Sequence, residues 1–161
     1  MGTKKIKTNV ARFLEKNGVK FELIPYEVDE NDLGAEHVAA SLSENVEQVF
    51  KTIVLHGDKT GYLVGVLPGN NEIDLKKLAK ASGNKKCEPL PLKELLPTTG
   101  YIRGGCSPIG MKKKFPTYIH NTVTQFPYVY VSAGVRGVQL KISPTDLIQQ
   151  TAAQVVDIIE E

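Results

Sequence analysis

The segment Gly104-Gly105-Cys106-Ser107-Pro108-Ile109-Gly110 is the part of this 161-residue chain best built to hold a carbonyl or phosphate oxygen. Its glycines allow positive φ and close backbone approach, and Pro108 stiffens the loop without adding an N–H. Successive N–H groups of such a loop can converge on one oxygen. No Gly-Lys-Ser/Thr ending follows, so it is not a P-loop, and the dinucleotide glycine spacing is absent. A structural turn is the plainer reading of the same residues. The second element is Phe50-Lys51-Thr52, which opens the apolar run Ile53-Val54-Leu55. A lysine there can simply snorkel to solvent. Held beside the glycine loop, it would bind a phosphate or polarise an ester carbonyl. The third is Met111-Lys112-Lys113-Lys114, either a solvated face or, next to the loop, a contact for an RNA backbone.

Other chemistries find less support. His37, His56 and His120, with Cys87 and Cys106, make no metal-binding spacing. No nucleophile elbow is present, and Cys106 reads first as a small buried hydrophobe. The net charge of +2 is too small to argue for nucleic-acid binding by itself. It hides polarity, however. Between Glu27 and Glu47 lie seven carboxylates (Glu27, Asp29, Glu30, Asp32, Glu36, Glu44 and Glu47) and no lysine or arginine. That face should repel RNA.

A composition of 41% hydrophobic and 24% charged residues predicts an ordinary globular chain. Its length suits one domain over 1–161. The start, Met1 to Lys7, has no apolar run behind its lysines, and no stretch approaches the roughly 20 apolar residues of a membrane helix. The expectation is a cytoplasmic protein with two free thiols and no membrane association.

The elements that must position these residues follow from periodicity. Val10, Phe13 and Leu14 predict a helix over 7–17, stopped by Gly18. A strand is expected at 21–24, a helix over 34–42, and a helical turn N-capped by Ser43 with Glu44 and Glu47 in its first turn. Residues 49–56 and 62–67 predict a hairpin around a five-residue loop. Helices are expected at 74–80 and 91–96, strands at 117–121, 128–131 and 138–142, and a closing helix after Ser143-Pro144. Short strands with interspersed helices predict an α/β (α+β) fold with a mixed, largely antiparallel sheet curled towards a barrel, helices surrounding it.

Taken in order, these segments resemble the YbaK/EbsC family of aminoacyl-tRNA deacylases, best known for clearing Cys-tRNA(Pro). The likeness is carried by Phe50-Lys51-Thr52, by Gly100 to Lys113, by Val131-Ser132-Ala133-Gly134-Val135-Arg136-Gly137 and by Ser143-Pro144-Thr145-Asp146-Leu147. It implies a single editing domain related to that of bacterial prolyl-tRNA synthetases. Catalytic roles then fall to Lys51, Gly104 and Gly105. Substrate contacts fall to Tyr26, Leu33, Thr52, Cys106, Ser107, Pro108, Ser132 and Gly134, with Lys112, Lys113 and Lys114 on the RNA backbone. Leu33 stands where the family has an aromatic residue, and Cys106 where an aliphatic one is expected.

The resemblance implies no cofactor or metal. The substrate's own thiol attacks its ester, and the protein only orients and polarises. Cys-tRNA(Pro) is the expected substrate, Cys-tRNA(Cys) a further one, and prolyl-tRNA synthetase a further partner. The rival readings are an Ala-tRNA(Pro) deacylase that uses water and a non-catalytic tRNA- or synthetase-binding module. The module would be marked by loss of Lys51 or of the loop glycines, and both are kept.

Overall fold

The computed structural model describes residues 8–161. The first helix, α1 (Asn9–Lys16), begins where the Thr8 hydroxyl accepts the Ala11 N–H at 3.1 Å. Position 7 of the expected helix lies outside the described residues. The chain continues through β1 (Glu22–Pro25), α2 (Ala35–Leu42), β2 (Phe50–Gly57), β3 (Gly61–Pro68) and α3 (Leu75–Ser82). It goes on through β4 (Cys87–Pro89), α4 (Leu95–Thr99), β5 (Thr117–His120), β6 (Val129–Ser132) and β7 (Val138–Ile142). It closes with α5 (Pro144–Thr151) and β8 (Gln154–Val156). Single 3-10 turns occupy Val46–Gln48, Leu92–Glu94 and Asn121–Gln125.

The strands form two sheets, in the orders β1-β7-β6 and β4-β2-β3-β5-β8. Antiparallel pairing dominates, while β3–β5 and β5–β8 run parallel. The α/β mixture is therefore as expected, but the sheet does not close into a barrel. Its two halves touch through one parallel bridge, Val49 to Tyr130. β4 covers only Leu55–Gly57 of β2, so the Phe50–Thr52 end of β2 has no partner on that side. There β2 and β6 part around a cavity.

Ser43 also departs from expectation. It ends α2 with φ 55 in the left-handed region, and Asn45 caps the next turn by accepting the Glu47 N–H. The cap thus lies two residues beyond Ser43 and is an amide oxygen, not a hydroxyl. The hairpin is tighter than expected, because Gly57 and Gly61 pair and leave a three-residue loop.

The main core lies between the sheets and two helices. Val10 and Leu14 of α1 and Leu147 of α5 pack on Val54, Val64, Val66, Ile119, Val131 and Leu140. The other face of the larger sheet packs Leu55, Leu63 and Leu67 on Leu78 of α3 and on Ile158. A third cluster sets Val38 and Ala39 of α2 against Val49 and Tyr130, and so fixes α2 over the seam between the sheets.

One buried titratable group ties the C-terminal strand down. His120, only 3% exposed, accepts the Ile158 N–H through Nδ1 at 3.3 Å. Burial pushes its pKa below the ordinary imidazole value, against the smaller opposite pull of Asp157. The native state therefore resists a proton that the unfolded chain takes up near pH 6.5. The stability His120 contributes is present above that pH and lost as pH falls through the lowered native value. Thermal denaturation should show Tm falling as the buffer moves from pH 7.5 to 5. The fall should be shallower in His120→Gln, which cannot titrate. Equal slopes would show that His120 does not set the acid limit.

Candidate active site

A cavity of about 130 Å³ sits at the seam where the sheets part. Its floor comes from both sheets: Phe50, Lys51 and Thr52 at the start of β2, Ser132 at the end of β6, and Gln139 on β7. Gly104 and Cys106 form one wall, and Leu33, Ala35 and Val38 form another. Ser132 and Gln139 are register partners, so alternation points both side chains to one face. Val131 and Leu140 point to the core behind. An engineered cavity of about 150 Å³ takes one benzene. This one therefore suits a small acyl group, not a nucleoside.

The glycine loop is held in shape by specific contacts. The Tyr101 hydroxyl donates to the Ile109 carbonyl at 2.6 Å, and the buried Ser107 hydroxyl accepts the Ile109 N–H at 3.3 Å. Gly104 has φ +84, and a Cβ on it would crowd Leu33 and Arg136 at 3.3 Å. Arg136 Nε donates to the Arg103 carbonyl at 2.8 Å, which staples the loop to the β6–β7 turn. In that turn the Gly134 N–H donates to the Ser132 hydroxyl at 3.2 Å. Glycine at 104 thus answers both a left-handed backbone and a close approach.

Lys51 is half-buried, and its ammonium donates to the Gly69 carbonyl in a long 3.4 Å contact. Gly69 is held in turn, since its N–H donates to the Val49 carbonyl and a Cβ there would overlap Ala35. The lysine is positioned by a turn that is itself wedged under α2. Cys106 shares the cavity, but burial pushes its thiol up to about 12. Such a thiol stays protonated near neutral pH, which makes it a poor nucleophile.

Six of the residues expected from sequence meet on this cavity: Lys51, Thr52, Leu33, Gly104, Cys106 and Ser132. Others stand outside its wall. Tyr26 packs against the α2 cluster. Gly105 lies against the backbone of Val135 and Arg136, and Ser107 is buried beneath the loop. Pro108 faces a second depression, and Gly134 packs against Tyr101 and Val10. Sequence reasoning missed Gly69 and Gln139. Nothing local marks Gly69. A glutamine flanked by Val138 and Leu140 in a strand is a detectable signal, a polar residue at a position buried on both sides.

The second depression is larger, about 430 Å³, and lies on the other side of the loop. Phe13, Pro108, Met111 and Phe115 supply apolar surface, and Lys113 and Lys114 supply charge. Among the described residues no carboxylate lines it, and none of the acidic stretch 27–47 does. Lys112 turns away and donates to the Pro97 carbonyl at 3.4 Å. Among the described residues no three His, Cys, Asp or Glu side chains gather as for a metal, and no helix is long and apolar enough to cross a membrane.

The model of the aminoacyl-tRNA editing domain matches residues 29–149, which include every residue of the cavity wall. The chain belongs to the aminoacyl-tRNA editing domain family. It is 51% identical over 152 residues to EbsC of Enterococcus faecalis strain V583, covering 94% of this chain and 93% of that one. That relative carries the provisional name Cys-tRNA(Pro)/Cys-tRNA(Cys) deacylase. The fold recurs in the crystal structure of a protein assigned provisionally as a trans-editing enzyme for prolyl-tRNA synthetase. There the TM-score is 0.84 at 24% identity, over 98% of this chain and 100% of that one. It recurs again in the hypothetical protein APE2540, with a TM-score of 0.87 at 21% identity, over 95% and 100% of the two chains. At those identities the two structures speak for the fold alone.

Proposed function

We propose that this protein is a cytoplasmic, trans-acting editing deacylase that removes cysteine from mischarged tRNA(Pro), and from Cys-tRNA(Cys) as a further substrate. The observation that carries the reading is the cavity itself. One lysine and one glycine-loop wall surround space for a single small acyl group, and among the described residues of that wall the one thiol is held protonated and no histidine or carboxylate stands by to activate a hydroxyl. Orientation and charge stabilisation are what such a site can supply.

The reaction that fits is internal. The substrate's cysteine sulfur attacks its own ester carbonyl carbon. A C–S bond forms, the C–O bond to the terminal ribose breaks, and the thiol proton ends on the departing ribose oxygen. Free tRNA and a cysteine thiolactone result, which water opens afterwards. Lys51 offers positive charge to the carbonyl or leaving oxygen, and the Gly104 backbone approaches it at the cavity wall, while the Gly105 N–H, held by the Ile102 carbonyl at 2.9 Å, fixes the loop behind. Leu33, Cys106 and Ser132 shape the space, and Tyr26, Ser107, Pro108 and Gly134 support the walls from behind.

The ester must arrive on a long polyanion, and the basic groove behind the loop suits its approach. Phe13 and Phe115 offer faces on which an unpaired base can stack, and Lys113 and Lys114 offer phosphate partners. Lys112 lies outside this groove, with its ammonium on the Pro97 carbonyl, and would reach a phosphate only beyond the groove's edge. Prolyl-tRNA synthetase is the natural partner, because it makes the mischarged product. Binding of Cys-tRNA(Pro) should weaken as salt rises. Replacing Lys112, Lys113 and Lys114 by Gln should flatten the log–log slope by about 0.7 to 0.9 for every phosphate that a lysine had neutralised. An unchanged slope reassigns the three lysines to a solvated face.

A further inference from the structure

Two residues lining the cavity each carry a buried side-chain oxygen that the protein leaves unanswered. Among the described residues three buried side-chain polar atoms lack any hydrogen-bond partner: Thr52 Oγ1, Thr122 Oγ1 and Gln139 Oε1. Two of the three belong to residues lining this one small space. Gln139 is 5% exposed and sits on the central strand of its sheet, between Ile24 and Ser132. Buried polar groups are ordinarily paired, and leaving one unpaired costs stability that a hydrophobic side chain of the same shape would not. A pair of such groups at one site is the arrangement of a site that keeps its hydrogen bonds for a ligand.

Which ligand group fits is set by donor and acceptor chemistry. Both unpartnered atoms are oxygens. The glutamine oxygen accepts only, and the threonine hydroxyl accepts as well as donates. They call for a group that donates more than once. The ester and carbonyl oxygens of an aminoacyl ester only accept, and they fall to Lys51 and the glycine-loop wall. The α-ammonium is the part of the acyl group that carries several N–H donors. We infer that Gln139 and Thr52 together bind the free α-ammonium of the aminoacyl ester, so that the enzyme reads this group as well as the side chain. This rests on the deacylase activity proposed for the same cavity. It assigns a task that the thiol chemistry does not require, since sulfur can attack the carbonyl whether or not the amine is present.

The test compares two esters of equal size. One is Cys-tRNA(Pro). The other is 3-mercaptolactoyl-tRNA(Pro), in which a hydroxyl replaces the α-ammonium and the thiol is kept. Each enzymatic rate is divided by the uncatalysed rate of the same ester, which removes their intrinsic difference. The wild-type protein should favour the cysteinyl ester in kcat/KM by about ten- to a hundredfold. Gln139→Met and Thr52→Val should each shrink that preference, and the double variant should abolish it. Gln139→Glu, which keeps an acceptor, should retain it. Because each apolar replacement removes an orphaned polar group, Tm should stay level or rise while kcat/KM for the cysteinyl ester falls.

Equal wild-type treatment of the two esters would overturn the inference and leave the deacylase reading standing. Gln139→Met losing several degrees of Tm and both esters in parallel would also overturn it, by making Gln139 a structural residue. Failure of the wild-type protein to cleave Cys-tRNA(Pro) at all would remove the deacylase reading, and this inference with it.

Discussion

Lys51→Ala is expected to lose about a hundred- to a thousandfold in kcat/KM for Cys-tRNA(Pro), with Tm within a degree or two of wild type. The size is that of removing one preorganised charge from a transition state, about 2.7 to 4 kcal/mol. Small structural cost follows from the surroundings. Lys51 lies where β2 lacks a partner on one side, and among the described residues the one hydrogen bond of its ammonium is the long 3.4 Å bond to Gly69. Lys51→Arg tests the same point differently. Its broad planar head does not replace a compact ammonium in a cavity of about 130 Å³, so it should recover little activity. A Lys51→Ala protein that keeps more than about a tenth of the wild-type rate, a loss under about 1.4 kcal/mol, would remove the lysine from the centre of the mechanism.

Replacing sulfur by oxygen in the substrate should have an effect of similar size. Ser-tRNA(Pro) fits any space that takes Cys-tRNA(Pro), yet its hydroxyl is far less acidic than a thiol with pKa near 8.5 and far less nucleophilic. Release of serine should therefore be slower by about two orders of magnitude or more. Cys106→Ala should leave cysteine release within about threefold of wild type, since burial holds that thiol un-ionised and alanine keeps the wall small and apolar. An acyl group trapped on Cys106, seen as an adduct by intact-mass measurement, would place the attacking sulfur on the protein instead. Serine cleared as fast as cysteine would do the same to the substrate-thiol account.

Much of this site was legible because its signals are local. Gly104 must be glycine for its positive φ, and Lys51 opens an apolar strand, so both stand out without knowledge of the fold. Helix ends were legible for the same reason. Ser143 and Asp74 cap α5 and α3 through their own side chains, although Asp74 proves to be the cap and not the first helical residue. What stayed hidden depends on pieces distant in sequence. β4 and β8 are three residues each, too short for a period of two to show, and exist because β2 and β5 offer them edges. The barrel does not close because the two sheets share no ladder and are joined only by the isolated bridge of Val49 to Tyr130, which strand patterns do not encode. Gly69 matters only because α2 packs on it and Lys51 reaches its carbonyl. Gln139 is marked in sequence as a polar residue in an apolar strand, but its place in the site shows only when β6 and β7 are laid in register beside Lys51 and the glycine loop.

The central claim is tested most directly by giving the purified protein tRNA(Pro) charged in turn with cysteine, alanine and proline, together with Cys-tRNA(Cys), and timing release of each amino acid. The account predicts rapid loss of cysteine from tRNA(Pro), measurable loss from tRNA(Cys), and alanine and proline left on at close to their uncatalysed rates. Retention of cysteine on tRNA(Pro), or alanine released faster than cysteine, would contradict it.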